Sequence, residues 1–286
     1  DLNLIARAAS AAQSAPFAGY YTALLPPTVL DTGAPEIDNR PAGNGYVTLN
    51  VTAAGRTRYS GYLPDGTRLI GSAQVLVFGA AELEALGYNP AGAAARAAAF
   101  PVFKILYRRR GVAAGLCWIL AGDIADAGDN EMWIDNSEWR YPGRSAILPG
   151  DAFRATFNGD PAGDASFSPT AQWIGGFYAR PQDFTAAYNG AVFHAEGNAL
   201  ALAVAASTLR LPAGNALSAS LLANGNSGLL SGWLTPAAAG ARRTRFRGVL
   251  VPAMGVGGGF YLVGDPAVAG YRLKRSRAVI IEGDDQ

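Results

Sequence analysis

Thiol and imidazole side chains are almost missing from this chain of 286 residues, which has one cysteine, Cys117, and one histidine, His194. A lone cysteine excludes an intrachain disulfide framework and a cysteine-rich metal site. A lone histidine closes histidine-based zinc chemistry, which needs several imidazoles, and leaves a nucleophilic hydrolase short of a base. No glycine-x-serine-x-glycine turn is present either. Between Leu116 and Trp118, Cys117 reads as a small buried hydrophobe, and His194 as a strand-end residue bonded locally. Charge is also scarce: charged residues make up 16% and nearly cancel to a net of +1. That leaves no global field to draw nucleic acid or an anionic membrane. Lysine occurs only at Lys104 and Lys274, so arginine carries the basic charge. No apolar run approaches the roughly eighteen residues of a spanning helix, and none is expected. A start at Asp1 is compatible with a processed, exported chain.

What is present is a β-protein. Hydrophobic residues reach 50%, and 36 glycines and 17 prolines are dispersed as punctuation between short segments. Tyr46 to Thr52 alternates and is rich in β-branched residues. Gly55 then marks a hairpin turn, Thr57 to Leu63 returns, and Asp65-Gly66 turns again into Arg68 to Phe78. The expected class is all-β, with antiparallel meanders forming barrel- or sandwich-like units and little helix.

Two ordered echoes suggest an internal duplication. Ser60-Gly61-Tyr62-Leu63 returns as Ser231-Gly232-Trp233-Leu234, and Gly115-Leu116-Cys117-Trp118 with Gly122-Asp123 is answered by Gly259-Phe260-Tyr261-Leu262 with Gly264-Asp265. The expected division is an N-terminal arm over 1–16, a first β unit over 17–140, an aromatic connecting region over 141–199 and a second β unit over 200–286. Alanine-rich 80–99 reads as a helical insertion in the first unit. Gly61 and Gly232 are expected in matching strands, and Gly115 and Gly259 in another pair.

Three segments carry candidate contacts. Asp123, Asp126, Asp129, Glu131, Asp135 and Glu138 lie with Trp133 and Trp139 in an acidic, aromatic loop over 123–141. Paired carboxylates beside indole rings are what glycan binding or glycoside chemistry needs. That loop, or Asn158-Gly159-Asp160-Pro161-Ala162-Gly163-Asp164, could hold calcium, although neither has the EF-hand spacing. Otherwise no cofactor is expected. Arg243, Arg245 and Arg247 alternate along one strand and so share a face, complementary to the acidic loop of another copy. In the arm, Leu2 and Ile5 form an apolar stripe that a short isolated helix could not keep ordered in water.

The glycine-punctuated stretches Gly45-Tyr46-Val47-Thr48-Leu49, Ser60-Gly61-Tyr62-Leu63-Pro64-Asp65-Gly66-Thr67 and Phe246-Arg247-Gly248-Val249-Leu250 with Gly257-Gly258-Gly259-Phe260-Tyr261-Leu262 resemble a β-repeat and terminal module of large secreted or cell-surface proteins of Verrucomicrobia. The resemblance covers about 19–140 and 215–281 and implies an exported, mostly β module with no established catalytic activity. The leading expectation is a non-enzymatic extracellular or cell-surface structural protein acting by self-association, as a filament, surface-layer or adhesive component. Its partners would be copies of itself, in a homo-oligomer or homopolymer, and surface glycans. The alternative is a carbohydrate-binding module or glycoside-active enzyme using 123–141. A third reading is an outer-membrane β-barrel, against which the arginine-bearing strand at 243–247 weighs.

Overall fold

The computed structural model describes residues 10–26, 42–85, 96–106, 111–121, 131–139, 174–237, 241–264 and 274–283. The first sheet is built from β1 (Gly19–Leu25), β2 (Gly45–Val51), β3 (Arg56–Tyr62), β4 (Arg68–Gln74), β5 (Leu76–Gly79), β6 (Arg96–Leu106), β7 (Gly111–Ala121), β8 (Glu131–Trp139) and β9 (Ile174–Phe177). These strands lie in the order β4-β3-β2-β1-β9-β8-β7-β6-β5, with antiparallel pairing. Gly55 and Gly66, at φ 77° and 84°, make the predicted left-handed turns of the two hairpins. The edge strands β4 and β5 are separated in sequence by Val75 alone. The sheet must therefore curl until its ends meet, as a barrel wall does. Across that closure the Lys104 ammonium on β6 donates to the Arg68 carbonyl on β4 at 2.9 Å.

Period-2 alternation decides what goes inside. Tyr21, Ala23 and Leu25, then Val47, Leu49 and Val51, face Phe100, Val102, Cys117 and Ile119 in one buried cluster. Phe17 joins it from the end of the arm. There, α1 (Ala11–Ser14) is capped by Ser10, with Gln13 completing the reciprocal box. The Ser14 hydroxyl donates to Ala53 O at 2.9 Å. The described end of the arm thus packs on its own β body.

Residues 192–282 supply a second sheet and a separate two-stranded hairpin. Its elements are β10 (Val192–Ala195), β11 (Asn198–Ala201), the separate hairpin β12 (Ala203–Ala205) and β13 (Thr208–Arg210), then β14 (Ser220–Ala223), β15 (Leu229–Leu234), β16 (Thr244–Val251), β17 (Val256–Gly264) and β18 (Lys274–Glu282). The order is β11-β10-β18-β17-β16-β15-β14. Phe193, Leu230, Phe246, Leu250, Tyr261 and Ile281 form its core with Tyr178.

A dry seam joins the two bodies. Leu24 and Tyr46 on the outer face of β1–β2 pack against Val249, Val251 and Phe260 on β16–β17. Hydrogen bonds stitch its margins: Thr22 Oγ1 to Leu250 O at 2.6 Å, Tyr20 OH to Ser227 O at 2.8 Å, and Asn44 N to Gly259 O at 3.1 Å. Ser276 Oγ also donates to Pro64 O and accepts from Gly43 N.

Three expectations change. Helix over 80–99 is confined, among the described residues, to α2 (Ala80–Ala85), and Arg96–Ala99 already belong to β6. The alanines there are buried because they must be small. Ala99 stands opposite Trp118, and Ala97, Ala99, Trp118 and Leu83 of α2 pack together. Packing overrides local helix propensity. The region 141–199 is also not a connector throughout, since β9 pairs with β1 in the first sheet and β10 lies inside the second. Its short strands carry a weak period because each supplies few residues.

The duplication survives only locally. Gly61 and Gly232 both sit on strands second from a sheet edge, β3 and β15. A Cβ on either would collide with a neighbouring carbonyl, that of Tyr46 or of Ser220. Gly115 and Gly259 do not match, because β7 is third from an edge and β17 is central. Moreover β3 follows its inner neighbour in sequence, whereas β15 precedes its own. The shared motif reports a common need for close strand approach, not a common order of strands.

Candidate functional site

Asp123, Asp126 and Asp129 lie outside the described residues, as do Leu2, Ile5 and the possible calcium turn over 158–164. Glu131, Trp133, Asp135, Glu138 and Trp139 are not in a loop. They occupy β8, with Trp133 registered opposite Trp118, Asp135 opposite Leu116, and Trp139 opposite Ala113. Between Asp135 and Glu138 the register shifts against Ala114 and Leu116, giving a bulge. Met132 and Ile134 pair with Ile119 and Cys117 of the barrel interior. The short apolar run Met132-Trp133-Ile134 was the strand signal hidden among the carboxylates. Among the described residues no three metal-ligating side chains come together.

Arg245 and Arg247 lie on β16, with Arg243 just before it, and strand period places them on the face that continues into the seam through Val249 and Val251. The Arg247 guanidinium stands 5.1 Å over the Tyr62 ring across the seam. That of Arg243 lies 5.8 Å over Trp233 and donates to Ser220 Oγ at 3.3 Å. Trp233 pairs with Arg245, and Ser231 with Arg247. On the same outer face, Leu222, Leu229 and Trp233 are 67%, 40% and 45% exposed. An apolar strip edged by arginines therefore runs along β14 and β15, and β14 is the last strand of its sheet.

A second surface lies on the first barrel beside the seam. Cross-strand register sets two rows there, Tyr20–Asn50–Arg58–Ser72 and Thr22–Thr48–Ser60–Ile70. Arg68 follows on β4, opposite Tyr62. These rows and Arg68 surround an open depression of about 500 Å³.

His194 Nε2 sits 3.5 Å from Glu282 Oε2 at the surface. Cys117 is fully buried, and desolvation pushes its thiol well above the ordinary range. Among the described residues neither has a partner arrangement for nucleophilic chemistry.

Glu196 carries geometry that sequence reading missed. With Gly197 it forms the two-residue turn between β10 and β11, at φ 50° and 73°. Its carboxylate accepts from Tyr261 OH and from Ala237 N, the latter at 3.3 Å, and lies 3.4 Å from Arg277 Nη1. The available signal was Glu-Gly where a hairpin of this kind prefers Asn-Gly or Asp-Gly. A longer carboxylate in that strained position holds three segments together. Glu196→Gly relaxes the turn and removes only the clamp, so it should still cost about 2 kcal/mol in urea denaturation. An unchanged midpoint would show that the carboxylate contributes nothing.

No protein-family model, curated protein or solved structure matches this chain.

Proposed function

We propose that this two-sheet body is a non-enzymatic, exported structural protein that works by association with copies of itself. The observation that carries this reading is the strip of Leu222, Leu229 and Trp233 on the outer face of β14–β15, flanked by Arg243, Arg245 and Arg247. Large apolar side chains together on the last strand of a sheet are a template for another chain. The occupant proposed is a second copy, because its acidic run from Asp123 to Glu138 has the sign that the arginines require. A strip that meets a different surface on its neighbour does not close on itself, and such contacts propagate into filaments. The glycine-punctuated resemblance supports an exported setting.

Light scattering over a concentration series tests this. The intact chain should gain mass with concentration and lose it at high salt, while Leu222→Ser/Trp233→Ser should remain smaller at equal concentration. A strict monomer at every concentration, or a variant that assembles as the parent does, overturns the reading.

A further inference from the structure

The depression on β2–β4 is separate from the strip on β14–β15. Among the described residues no carboxylate lies within ion-pair distance of Arg58 or Arg68, and Asn50, Ser60 and Ser72 make no side-chain hydrogen bond. Thr48 donates to Ser60 O at 3.1 Å and keeps its acceptor capacity. We propose that this surface binds an acidic polysaccharide, a chain of sugars bearing carboxylate or sulfate groups.

The spacing favours a chain over a single small anion. Arg58 is registered opposite Ser72, and Arg68 lies four residues away along β4, on the neighbouring strand. Four residues of strand span about 13 Å, too far for one compact anion to engage both guanidinium groups. Ser60 and Ser72 stand near them and the Asn50 amide lies beside Arg58 on β2, groups that both donate and accept, which suits a hydroxyl-rich ligand. Ile70, 43% exposed on β4 between Arg68 and Ser72, offers an apolar contact for the C–H face of a sugar ring. The arginines supply forked donors that match carboxylate and sulfate oxygens.

One feature disfavours nucleic acid. Of the two rings that line the depression, Tyr59 is buried and Tyr20 is covered by the Arg180 guanidinium at 3.1 Å, so neither presents an open platform for a base. The site adjoins the seam, where Thr22, on the same row as Thr48, donates to Leu250 O of the second body.

Calorimetric titration of the full chain with polygalacturonate, chondroitin sulfate, neutral dextran and poly-L-glutamate tests the proposal. At least one acidic glycan should bind, more weakly as salt rises. Dextran should not bind, and poly-L-glutamate should bind at least about tenfold more weakly than the glycan. Arg58→Gln/Arg68→Gln should lose about tenfold or more in glycan affinity. If circular dichroism shows the double variant misfolded, Arg68→Gln alone and Ser60→Val carry the same expectation. Lack of binding to both acidic glycans, parent-like binding by folded variants, or equal binding of poly-L-glutamate overturns it. The readout is affinity rather than particle mass, so failure here is distinguishable from failure of the association reading.

Discussion

Gly259→Val should remove about 3 kcal/mol or more of stability. Gly259 lies at the centre of the second sheet, registered opposite Gly248 on β16 and Val279 on β18. A Cβ on it would overlap the Arg247 carbonyl oxygen and fall 2.6 Å from the Gly248 Cα. Both obstacles are backbone, so no rotamer change can relieve them. Gly248 is constrained in return, since its own Cβ would stand 2.7 Å from the Gly258 carbonyl carbon. The strands would have to part, loosening buried Phe246 and the bond from Asn44 N to Gly259 O at the seam. Urea denaturation measures the loss. Gly197→Asn is the control, because a Cβ there would meet nothing within 4 Å and asparagine tolerates the positive φ. A Gly259→Val loss below about 1 kcal/mol would mean that β16 and β17 can separate freely.

Raising the pH above 10 should open the seam and then the second core. Burial, reinforced by Tyr62, pushes the Tyr46 phenol up to about 12, and burial pushes Tyr178 up to about 12 as well. Tyr188 and Tyr261 are also raised, chiefly by desolvation. In the unfolded chain these phenols titrate near their ordinary 10.0. Above that pH the unfolded state releases protons that the folded state keeps, so stability falls as pH rises. The contribution is fully present below pH 10 and is lost as pH climbs through the folded value near 12. The urea midpoint should therefore be insensitive to tyrosine ionisation up to about pH 9 and then decline, with tyrosinate absorbance appearing cooperatively. Tyr46→Phe should move that decline to higher pH. Tyr178→Phe should do so less cleanly, because its hydroxyl also donates to Gly225 O at 2.9 Å. Gradual, non-cooperative ionisation beginning at the ordinary phenol range would contradict this.

The acidic segment shows where reading by composition misleads. Six carboxylates between Asp123 and Glu138 look like a solvated loop, yet Met132-Trp133-Ile134 is a short apolar run and its strand pairs with β7. Charge count and the apolar run gave opposite answers, and pairing followed the apolar run. For the arginines the local pattern was sufficient, because alternation places every second residue of a strand on one face. Their neighbours were not legible: Tyr62, under Arg247, belongs to the first sheet and arrives only through the seam.

The chain by itself determined the all-β class, the turns at Gly55 and Gly66, and which residues of β2 and β3 point inward. Each depends on glycine conformation or on alternation within a few residues. Tertiary structure decided the partners. Arg68 to Phe78 reads as one strand, but Val75 divides it and sends β4 and β5 to opposite edges of a sheet that closes on itself. Ala97 and Ala99 favour helix locally and become strand because only small side chains fit beneath Trp118 and Leu83. Strand order, the seam and the depression beside it are set by which distant surfaces exclude water together, and a local pattern carries no record of that choice.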